Sequence, residues 1–435
     1  MSFNQTVVKI FFGYGILIFP LFLLLGPLVS EFFLILLISY AFYFILSEKR
    51  TYFFLNKYSL FFLAFYLSTL VSTLVNFYNF DYAKSGIFYF RIFLFSIAVW
   101  FTLSKYELLN KKMLNFYIIF LSIIIFDSLV QFFTGKNLLG YEIIKSRISS
   151  FFGDELILGG FLLRILPIFL VCLIMNNKIG EKKIYILYPI LTSLICVNIY
   201  LTGERASFFL LILLFSIIFF SNKYLRKFTI FVVIFFVFFS FILPKFQSSE
   251  NLNPATRMFT KSYEQIIGKG EERYEEYKKK FFNKIYVFSH DHQGHYMLAY
   301  RIFIDSPILG TGPKGFRYLC RNKIYILKNN DGCSTHPHNT FVQILTSNGV
   351  IGFTLLIISF LYILIEIFKS RKKIDHQNKF DKFLISENII LCGIFINLWP
   401  LIPSGNFFNN WLSMMYFYPV GFYLYFKFRN EKKIS

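Results

Sequence analysis

The sequence has few long hydrophilic stretches, and this scarcity excludes an ordinary soluble globular protein. Hydrophobic residues make up 56% of its 435 positions. Apolar runs near the roughly 20 residues that cross a bilayer as a helix recur along the chain. No small-residue cleavage site clearly follows the first run, so we interpret it as a retained helix rather than a removed signal peptide. The sequence therefore predicts an all-α, polytopic membrane protein.

Acidic residues are also scarce, since 24 Asp and Glu stand against 45 Lys and Arg and leave a formal net charge of +21. Such a basic balance can indicate nucleic-acid binding, but the cations lie mainly in short connections between apolar runs. Alternate connections carry them, and the positive-inside rule places these connections and both termini in the cytoplasm. The charge therefore indicates topology, so we expect the lipid bilayer as a partner and no nucleic acid.

A nucleotide-binding loop is missing as well. The segment GTGPKGF, residues 310–316, is rich in glycines that let backbone amides approach an anion. It lacks the paired Gly-Lys-Ser/Thr of such loops, and the predicted topology places it on the outer side of the membrane, where ATP is absent. We expect a tight turn there, in which Lys314 could still face a phosphate.

About twelve transmembrane helices and one large, partly helical outer loop are predicted. The predicted spans are 7–25, 28–46, 58–76, 85–103, 113–133, 156–176, 183–201, 205–221, 225–243, 339–368, 384–403 and 407–426. The chain divides accordingly into N-terminal transmembrane helices at 1–243, a large periplasmic loop at 244–337 and C-terminal transmembrane helices at 338–435.

The outer loop contains two further features. The charged segment KGEERYEEYKKKFFNKIY, residues 269–286, has aromatic residues at helical spacing. It predicts an amphipathic helix near the lipid headgroups or, alternatively, an element that contacts substrate. Cys320 and Cys333 lie in the same loop, where a periplasm-like compartment permits oxidation, so we predict a disulfide between them. The other three cysteines fall within spans, where a thiol usually fills apolar space.

Arginines approach the outer leaflet from several parts of the chain. A cation in the hydrocarbon region costs about 2.5–3.5 kcal/mol on insertion scales, so such residues usually line a protein interior or an aqueous cavity. Arg147 and Arg205 lie at outer helix ends, and a guanidinium group suits phosphate oxygens. Each arginine could instead snorkel or pair with a carboxylate such as Glu204. Three charges lie in the outer halves of predicted spans: Arg91, Asp127 and Arg164.

The segment STHPHNTFVQILTSNGVIGF, residues 334–353, places two histidines directly before a predicted span. His338 is the better candidate general base, because an imidazole with an unperturbed pKa near 6.5 can accept a hydroxyl proton. Pro337 favours an extended approach by His336. Asn339 could hydrogen-bond an acceptor or orient the imidazole. The alternative is that these histidines only cap a helix end at the interface.

A second histidine group lies in SHDHQGH, residues 289–295. His290, His292 and His295 could form a metal site with Asp291, but their spacing is loose for metal ligation. We therefore predict no metal site.

Three segments together resemble the O-antigen ligase and O-antigen polymerase superfamily, integral membrane glycosyltransferases of the bacterial envelope. These segments are LTGERASFF at 201–209, RIFIDSPILGTGPKGF at 301–316 and THPHNTFVQILTSNGVIGF at 335–353. The last is the most specific, because a histidine followed by asparagine, an apolar helix and a glycine-containing turn recurs in that family. The expected architecture, with about twelve spans and a large outer loop late in the sequence, is also similar.

The resemblance implies transfer of a glycan from a polyprenyl diphosphate carrier to a sugar hydroxyl. The acceptor would be a lipid A core for a ligase or a growing carrier-linked glycan for a polymerase. The donor is already activated, so neither a cofactor nor a metal is implied. The expected location is the bacterial inner membrane, in lipopolysaccharide or surface polysaccharide biosynthesis. A transporter or flippase of lipid-linked oligosaccharide is the alternative, although no internal repeat of the kind common in transporters is evident.

The resemblance also implies roles for individual residues. His338 matches the family histidine, and Arg205 matches the arginine beside an outer helix start. Some relatives have an acidic residue before the glycine, whereas this chain has Ser347 and Asn348, so the resemblance does not imply an acidic partner there. The further diphosphate-binding candidates are Arg147, Arg301 and Arg91. The residues expected to support the site are Asn339, His336 and Lys314.

Overall fold

A computed structural model describes residues 9–177, 185–246, 254–267, 288–325, 332–377 and 379–434. These residues are all-helical and contain no β-strand; two isolated antiparallel bridges lie between residues 136 and 147. The predicted amphipathic helix at 269–286 lies outside the described residues.

Fifteen helices carry the labels used below. They are α1 (Pro27–Ser47), α2 (Lys57–Val75), α3 (Phe80–Ile87), α4 (Phe90–Tyr106), α5 (Lys111–Thr134), α6 (Leu158–Asn176), α7 (Leu187–Leu201), α8 (Arg205–Ser221), α9 (Arg226–Ile242), α10 (Lys261–Ile267), α11 (His290–Asp305), α12 (Gly315–Leu319), α13 (Thr340–His376), α14 (Lys382–Asn397) and α15 (Asn410–Ile434). The remaining short turns are Lys9–Tyr14, Gly15–Leu17, Phe19–Leu24, Thr51–Phe53, Ser150–Phe152, Lys223–Leu225, Leu243–Phe246 and Thr256–Thr260.

Seven of the helical segments in the described residues are long and apolar enough to cross a membrane. α7 and α8 are apolar but shorter. The all-α prediction and the membrane character are thus confirmed. The count of about twelve spans stays a prediction, although a helical segment occurs within each predicted span.

The structure departs from the predicted spans near both ends of the chain. Residues 9–24 form three short helical pieces rather than one helix, and Pro20 occupies the first turn of the last piece. Near the C-terminus, α14 ends at Asn397 and α15 begins only at Asn410. Pro400 and Pro403 lie in this gap, and proline cannot donate the hydrogen bond that continues a helix. The resulting connection at 398–409 becomes part of the site described below.

Short polar side chains set the starts of five helices. Each of these residues lies immediately before a helix, and its side-chain oxygen accepts hydrogen bonds from N–H groups of the first turn, which have no partner within the helix. The capping residues are Asn56, Asn79, Asn110, Asn339 and Asp381.

The basic connections meet at one end of the bundle. Lys105, at the end of α4, pairs with Glu48 at 2.8 Å, just after α1. Lys223 donates to the carbonyl oxygen of Asp375 at 2.8 Å, which joins the α8–α9 connection to the end of α13. Lys382 donates to the carbonyl oxygen of Met175 at 3.1 Å. The histidine-containing segment lies at the other end of α13, so the cation-rich end and the histidine end are opposite ends of the helix bundle.

The long helix α13 is broken at Gly349, which has φ 63° and ψ −163°. The break frees carbonyl groups that an uninterrupted helix would use, and the segment at 307–312 supplies their partners. The amides of Thr311 and Gly312 donate to the carbonyls of Thr346 and Ser347 at 3.0 and 2.8 Å. In return, the amide of Val350 donates to the carbonyl of Pro307 at 2.8 Å. The GTGPKGF segment is therefore a structural turn that docks onto the broken helix.

We predict that Gly349→Ala destabilises the protein strongly. The positive φ disfavours an L side chain, and a Cβ there would lie 2.2 Å from the carbonyl oxygen of Ile308. Strain alone costs about 1–2 kcal/mol, and the backbone clash adds to it. Gly140→Ala is the matched control, because Gly140 also has a positive φ but has nothing within 4 Å of its Cβ position. Thermal unfolding in detergent should show a larger drop in Tm for Gly349→Ala; equal drops would contradict the packing argument.

Candidate active site

Four histidines from two parts of the chain meet at the N-terminal end of α13. The ring centre of His338 lies 4.0 Å from that of His336, 5.0 Å from that of His295 and 5.8 Å from that of His292. The rings of His292 and His295 are 6.1 Å apart. We call these four residues the histidine cluster.

The first turns of α11 supply two members of the cluster. His292 and His295 are three residues apart, so they lie on the same face of the helix. The Nδ1 of His295 lies 2.7 Å from the carbonyl oxygen of Gly332, and the Nδ1 of His292 lies 2.6 Å from the Oγ of Ser289. The helix is held against α12 by a small core of Leu298, Ile302 and Phe316.

The segment before α13 supplies the other two. Cys320 and Cys333 form a disulfide in the structure, with Cα atoms 5.1 Å apart, and it anchors this segment to the end of α12. The Oγ of Ser334 lies 3.1 Å from the Nε2 of His338. His338 itself adopts a positive φ of 56°, which turns the chain immediately before the Asn339 cap.

The connection at 398–409 packs against the same segment. The amide of Ser404 donates to the carbonyl of His338 at 2.9 Å, and the side-chain amide of Asn339 donates to the carbonyl of Pro400 at 2.7 Å. The side-chain amide of Gln343 donates a hydrogen bond to the Oδ1 of Asn406 at 2.7 Å. The last two long helices therefore hold the backbone on both sides of His338.

The environment keeps three of the imidazoles neutral near pH 7. Burial, followed by the charges of His338 and His295, lowers the pKa of His292 to about 4. Burial and His338 lower the pKa of His336 to about 3. Burial and the neighbouring His295 lower the pKa of His338 to about 4. A neutral imidazole has a free lone pair, which is the form that a general base requires.

Arg205 lies close to the cluster. It is the first residue of α8, and its guanidinium group donates to the Oε1 of Gln265 at 3.1 Å and to the carbonyl of Lys261 at 3.4 Å. Its positive charge is among the causes that lower the pKa of His292. Within the described part of the chain, Arg205 has no carboxylate partner, so its positive charge is not neutralised by a described side chain.

The comparison with known families gives an independent view of this region. Residues 190–357 match the family model described as O-antigen ligase. This part of the chain is similar to the O-antigen ligase family. The resemblance to the O-antigen ligase and polymerase superfamily is thereby confirmed, and the matched residues include Arg205 and the whole histidine cluster. No curated protein matches the chain.

Two other candidate arginines lie outside the O-antigen ligase match and are already paired. Arg147 forms an ion pair with Glu204 at 3.2 Å and donates to the carbonyl of Leu156 at 2.7 Å. Glu204 also accepts from the amides of Gly159 and Gly160 at 2.9 and 3.0 Å, where α6 begins. This carboxylate therefore ties Arg147 to a helix start.

Arg91 is paired in the same sense, because its Nε lies 2.6 Å from a carboxylate oxygen of Glu31. Within the described residues Arg164 pairs with no carboxylate; its guanidinium group donates to the carbonyl of Gly160 at 2.7 Å and lies over the ring of Tyr416 at 5.1 Å. Asp127 does not pair with an arginine; it accepts from the amide of Leu138 at 2.9 Å and from the hydroxyl of Ser150. Pairing with a carboxylate, the alternative to diphosphate binding, thus accounts for the ion pair of Arg91.

The remaining candidates occupy different positions around the domain. Lys314 donates to the carbonyl of Asp81, and burial together with Lys84 and Arg317 lowers its pKa. Arg301 is exposed on α11, and its guanidinium group lies 3.4 Å from the carbonyl oxygen of Tyr325. Asn339 supports the site as a helix cap rather than through a contact with an imidazole.

The metal alternative gains no support in the region that is described. There, no group of three or more His, Cys, Asp or Glu side chains has a geometry that could hold a metal ion. The side chain of His290 lies outside the described residues. His292 and His295 instead belong with His338, which sequence reasoning missed because the partner histidines come from another segment.

Proposed function

We propose that the protein is a membrane glycosyltransferase that moves a glycan from a polyprenyl diphosphate carrier to a sugar hydroxyl. The acceptor is a lipid A core or a growing carrier-linked glycan, in lipopolysaccharide or surface polysaccharide biosynthesis. The observation that carries the proposal is the convergence of four histidines inside the O-antigen ligase match, which also contains Arg205, whose charge acts on His292. A cation for a phosphate and neutral imidazoles for a hydroxyl are then present in one place.

The reaction requires stabilisation of the leaving diphosphate and removal of a proton from the acceptor hydroxyl, and the site has a group for each. The bond between the anomeric carbon and the diphosphate oxygen breaks, and its electron pair leaves with the diphosphate. Arg205 stabilises this growing negative charge, because a fixed guanidinium group acts electrostatically without reorganising. The acceptor oxygen forms the new bond to the anomeric carbon and loses its proton to His338. The chemistry calls for no metal.

An apolar cavity supports a lipid-linked donor. It has a volume of about 350 Å³ and lies between α2, α13, α14 and α15. Leu398 and Phe407, which belong to the 398–409 connection, line the end of the cavity nearer His338, and Tyr58 lines the opposite end. Aromatic and aliphatic walls of this kind suit an isoprenoid chain whose diphosphate rests at the site.

The distribution of charge supports the proposed orientation. The cation-rich end of the bundle would face the cytoplasm with both termini, and the histidine cluster would face the periplasm with the 244–337 loop. We place the protein in the bacterial inner membrane on this basis. The carrier diphosphate in the outer leaflet would then lie at the level of Arg205.

The rival function is transport of a lipid-linked oligosaccharide. A cationic cavity would suit a diphosphate in transit, but a transporter needs a pathway that is accessible from both faces. Arg205 and the histidine cluster lie together at one end of the bundle, which favours chemistry over passage.

Reconstitution tests the proposal directly. Purified protein in liposomes is given a polyprenyl diphosphate glycan with either a lipid A core or a second carrier-linked glycan, in the presence of EDTA. The expected result is glycan on one acceptor and release of an equal amount of polyprenyl diphosphate, with EDTA having no effect. Movement of the intact donor across the bilayer without bond formation would instead establish transport, and dependence on a divalent metal would refute the metal-independent mechanism.

The role of the cavity is tested by carrier length. Ser359→Phe, on the cavity wall, should raise the KM for a long-chain carrier by about tenfold, equivalent to about 1.4 kcal/mol of lost apolar burial. A carrier of two isoprene units should be affected little, because it does not reach the filled space. Ile365→Phe is the control, since Ile365 lies on the same helix, is 50% exposed and does not line the cavity. Equal effects on both carriers would place the isoprenoid chain elsewhere.

A further inference from the structure

His295 is the member of the histidine cluster whose proton position the structure determines. Its Nδ1 lies 2.7 Å from the carbonyl oxygen of Gly332, and a carbonyl can only accept a hydrogen bond. The Nδ1 therefore carries the proton, and the Nε2 of the neutral ring has a free lone pair. The Ser334 and Ser289 hydroxyls beside His338 and His292 can donate or accept, so they impose no such choice.

The same contact holds the His295 ring in place. When the ring becomes an imidazolium, the Nδ1–H bond to the Gly332 carbonyl becomes charge-assisted and strengthens. Gly332 adjoins Cys333, whose disulfide to Cys320 fixes the segment that also carries His338. The acceptor of the hydrogen bond is therefore anchored to the same short segment as the proposed base.

His338 is a poor place for a proton to remain. The pKa of His338 is lowered to about 4, first by burial and then by His295. The other groups around the cluster are His292, His336, Asp291 near His292, Arg205 near His292 and Arg317 near His336. Arg205 and Arg317 oppose positive charge on His292 and His336, whereas Asp291 favours it on His292.

The separation of the two rings permits transfer between them. Their centres are 5.0 Å apart with planes inclined by 29°. Two imidazoles joined edge to edge by one hydrogen bond with an N···N distance of about 2.9 Å have centres roughly 5 Å apart. With His295 held by Gly332, rotation of the His338 ring would bring one of its nitrogens toward the Nε2 of His295.

We propose that His295 is a second functional imidazole, which receives at its Nε2 the proton that His338 removes from the acceptor hydroxyl. This inference rests on the proposed glycosyl transfer. The acceptor oxygen bonds to the anomeric carbon, the bond from that carbon to the diphosphate breaks, and the electron pair leaves with the diphosphate. The proton passes from His338 to His295 and then to water or a diphosphate oxygen, which restores both neutral rings.

Two substitutions separate proton transfer from positioning. His295→Asn retains a side-chain N–H close to the Nδ1 position, so it keeps the hydrogen bond to Gly332 but has no proton acceptor. His295→Ala loses both functions. Each variant is reconstituted with polyprenyl diphosphate glycan and the acceptor that the wild-type protein uses, and His376→Asn, an exposed histidine at the far end of α13, is the control.

We expect both His295 variants to lose about 100-fold in transfer rate, within the range of positioned acid–base groups. Added imidazole should restore part of the rate of His295→Asn, which a merely structural role would not allow. The proposal would be overturned if His295→Asn transferred glycan within about threefold of the wild-type rate. It would also be overturned if both variants lost the same amount of activity and added imidazole restored none of it. Absence of transfer in the wild-type protein would instead refute the proposed function, so the two failures are distinguishable.

Discussion

Replacement of His338 by asparagine should abolish most glycan transfer while leaving the fold intact. Asparagine is the suitable substitution because residue 338 has a φ of 56°, a conformation that asparagine tolerates better than alanine. Loss of a positioned general base typically lowers rates by about 10²–10⁴-fold. The rate of transfer in liposomes is the measurement, and the disulfide and the thermal midpoint report on folding.

His376→Asn provides the matched control for this experiment. His376 is an exposed histidine at the other end of the same helix, so its replacement changes composition without touching the cluster. We expect wild-type transfer from this variant. Full transfer by a folded His338→Asn protein would reject the assignment of His338 as the base.

The pH dependence of glycan transfer by the wild-type protein should also reflect the lowered pKa of His338. A base acts only when neutral, and the pKa of His338 is lowered from 6.5 to about 4. The value of kcat/KM, which reports on the free enzyme, should therefore hold constant as pH falls from about 7 and decline only near pH 4. A midpoint near 6.5 would show that the base has the pKa of an ordinary exposed histidine.

Arg205→Gln should lower transfer by about 10²–10³-fold, the usual effect of removing one fixed donor from a developing negative charge. The substitution keeps a side-chain amide for the contact with Gln265 but removes the charge. The transfer rate of Arg205→Lys should fall between those of the wild-type protein and Arg205→Gln, because lysine keeps the charge without the planar fork that matches phosphate oxygens. Binding of inorganic diphosphate to the detergent-purified proteins should weaken in the same order.

Arg226→Gln controls for loss of an arginine at a helix start. Arg226 is the first residue of α9, as Arg205 is of α8, but it lies in the α8–α9 connection at the cation-rich end. We expect this variant to transfer glycan at the wild-type rate. Equal loss in both variants would mean that Arg205 acts through helix stability rather than on the diphosphate.

Much of the helical framework could be predicted from apolar runs, because length and composition decide which segments can be buried in a bilayer. The starts of α2, α5, α8 and α13 lie within about two residues of the expected positions. The break at Gly349 could not be placed in the same way, since the predicted span 339–368 runs across the four residues TSNG at 346–349. Its cause is the docking of residues 307–312, a contact between segments distant in sequence.

The candidate site shows a similar division. The segment around His338 could be singled out by its position before a span, and Arg205 by its helix start. The place of His292 and His295 could not be inferred, because their spacing alone is compatible with either a metal site or an ordinary helix face. Packing of α11 against α13 decides between these, and no local pattern encodes that packing.

The paired break at Gly349 also constrains the order in which the protein is assembled. Residues 307–312 leave the ribosome before residues 346–350, yet the backbone groups of these two segments complete each other's hydrogen bonds. The backbone groups of the earlier segment must therefore hydrogen-bond to water until the later helix has entered the membrane. Completion of the site is thus a late step in biogenesis, and a chain truncated before residue 346 would remain inactive even with every preceding helix inserted.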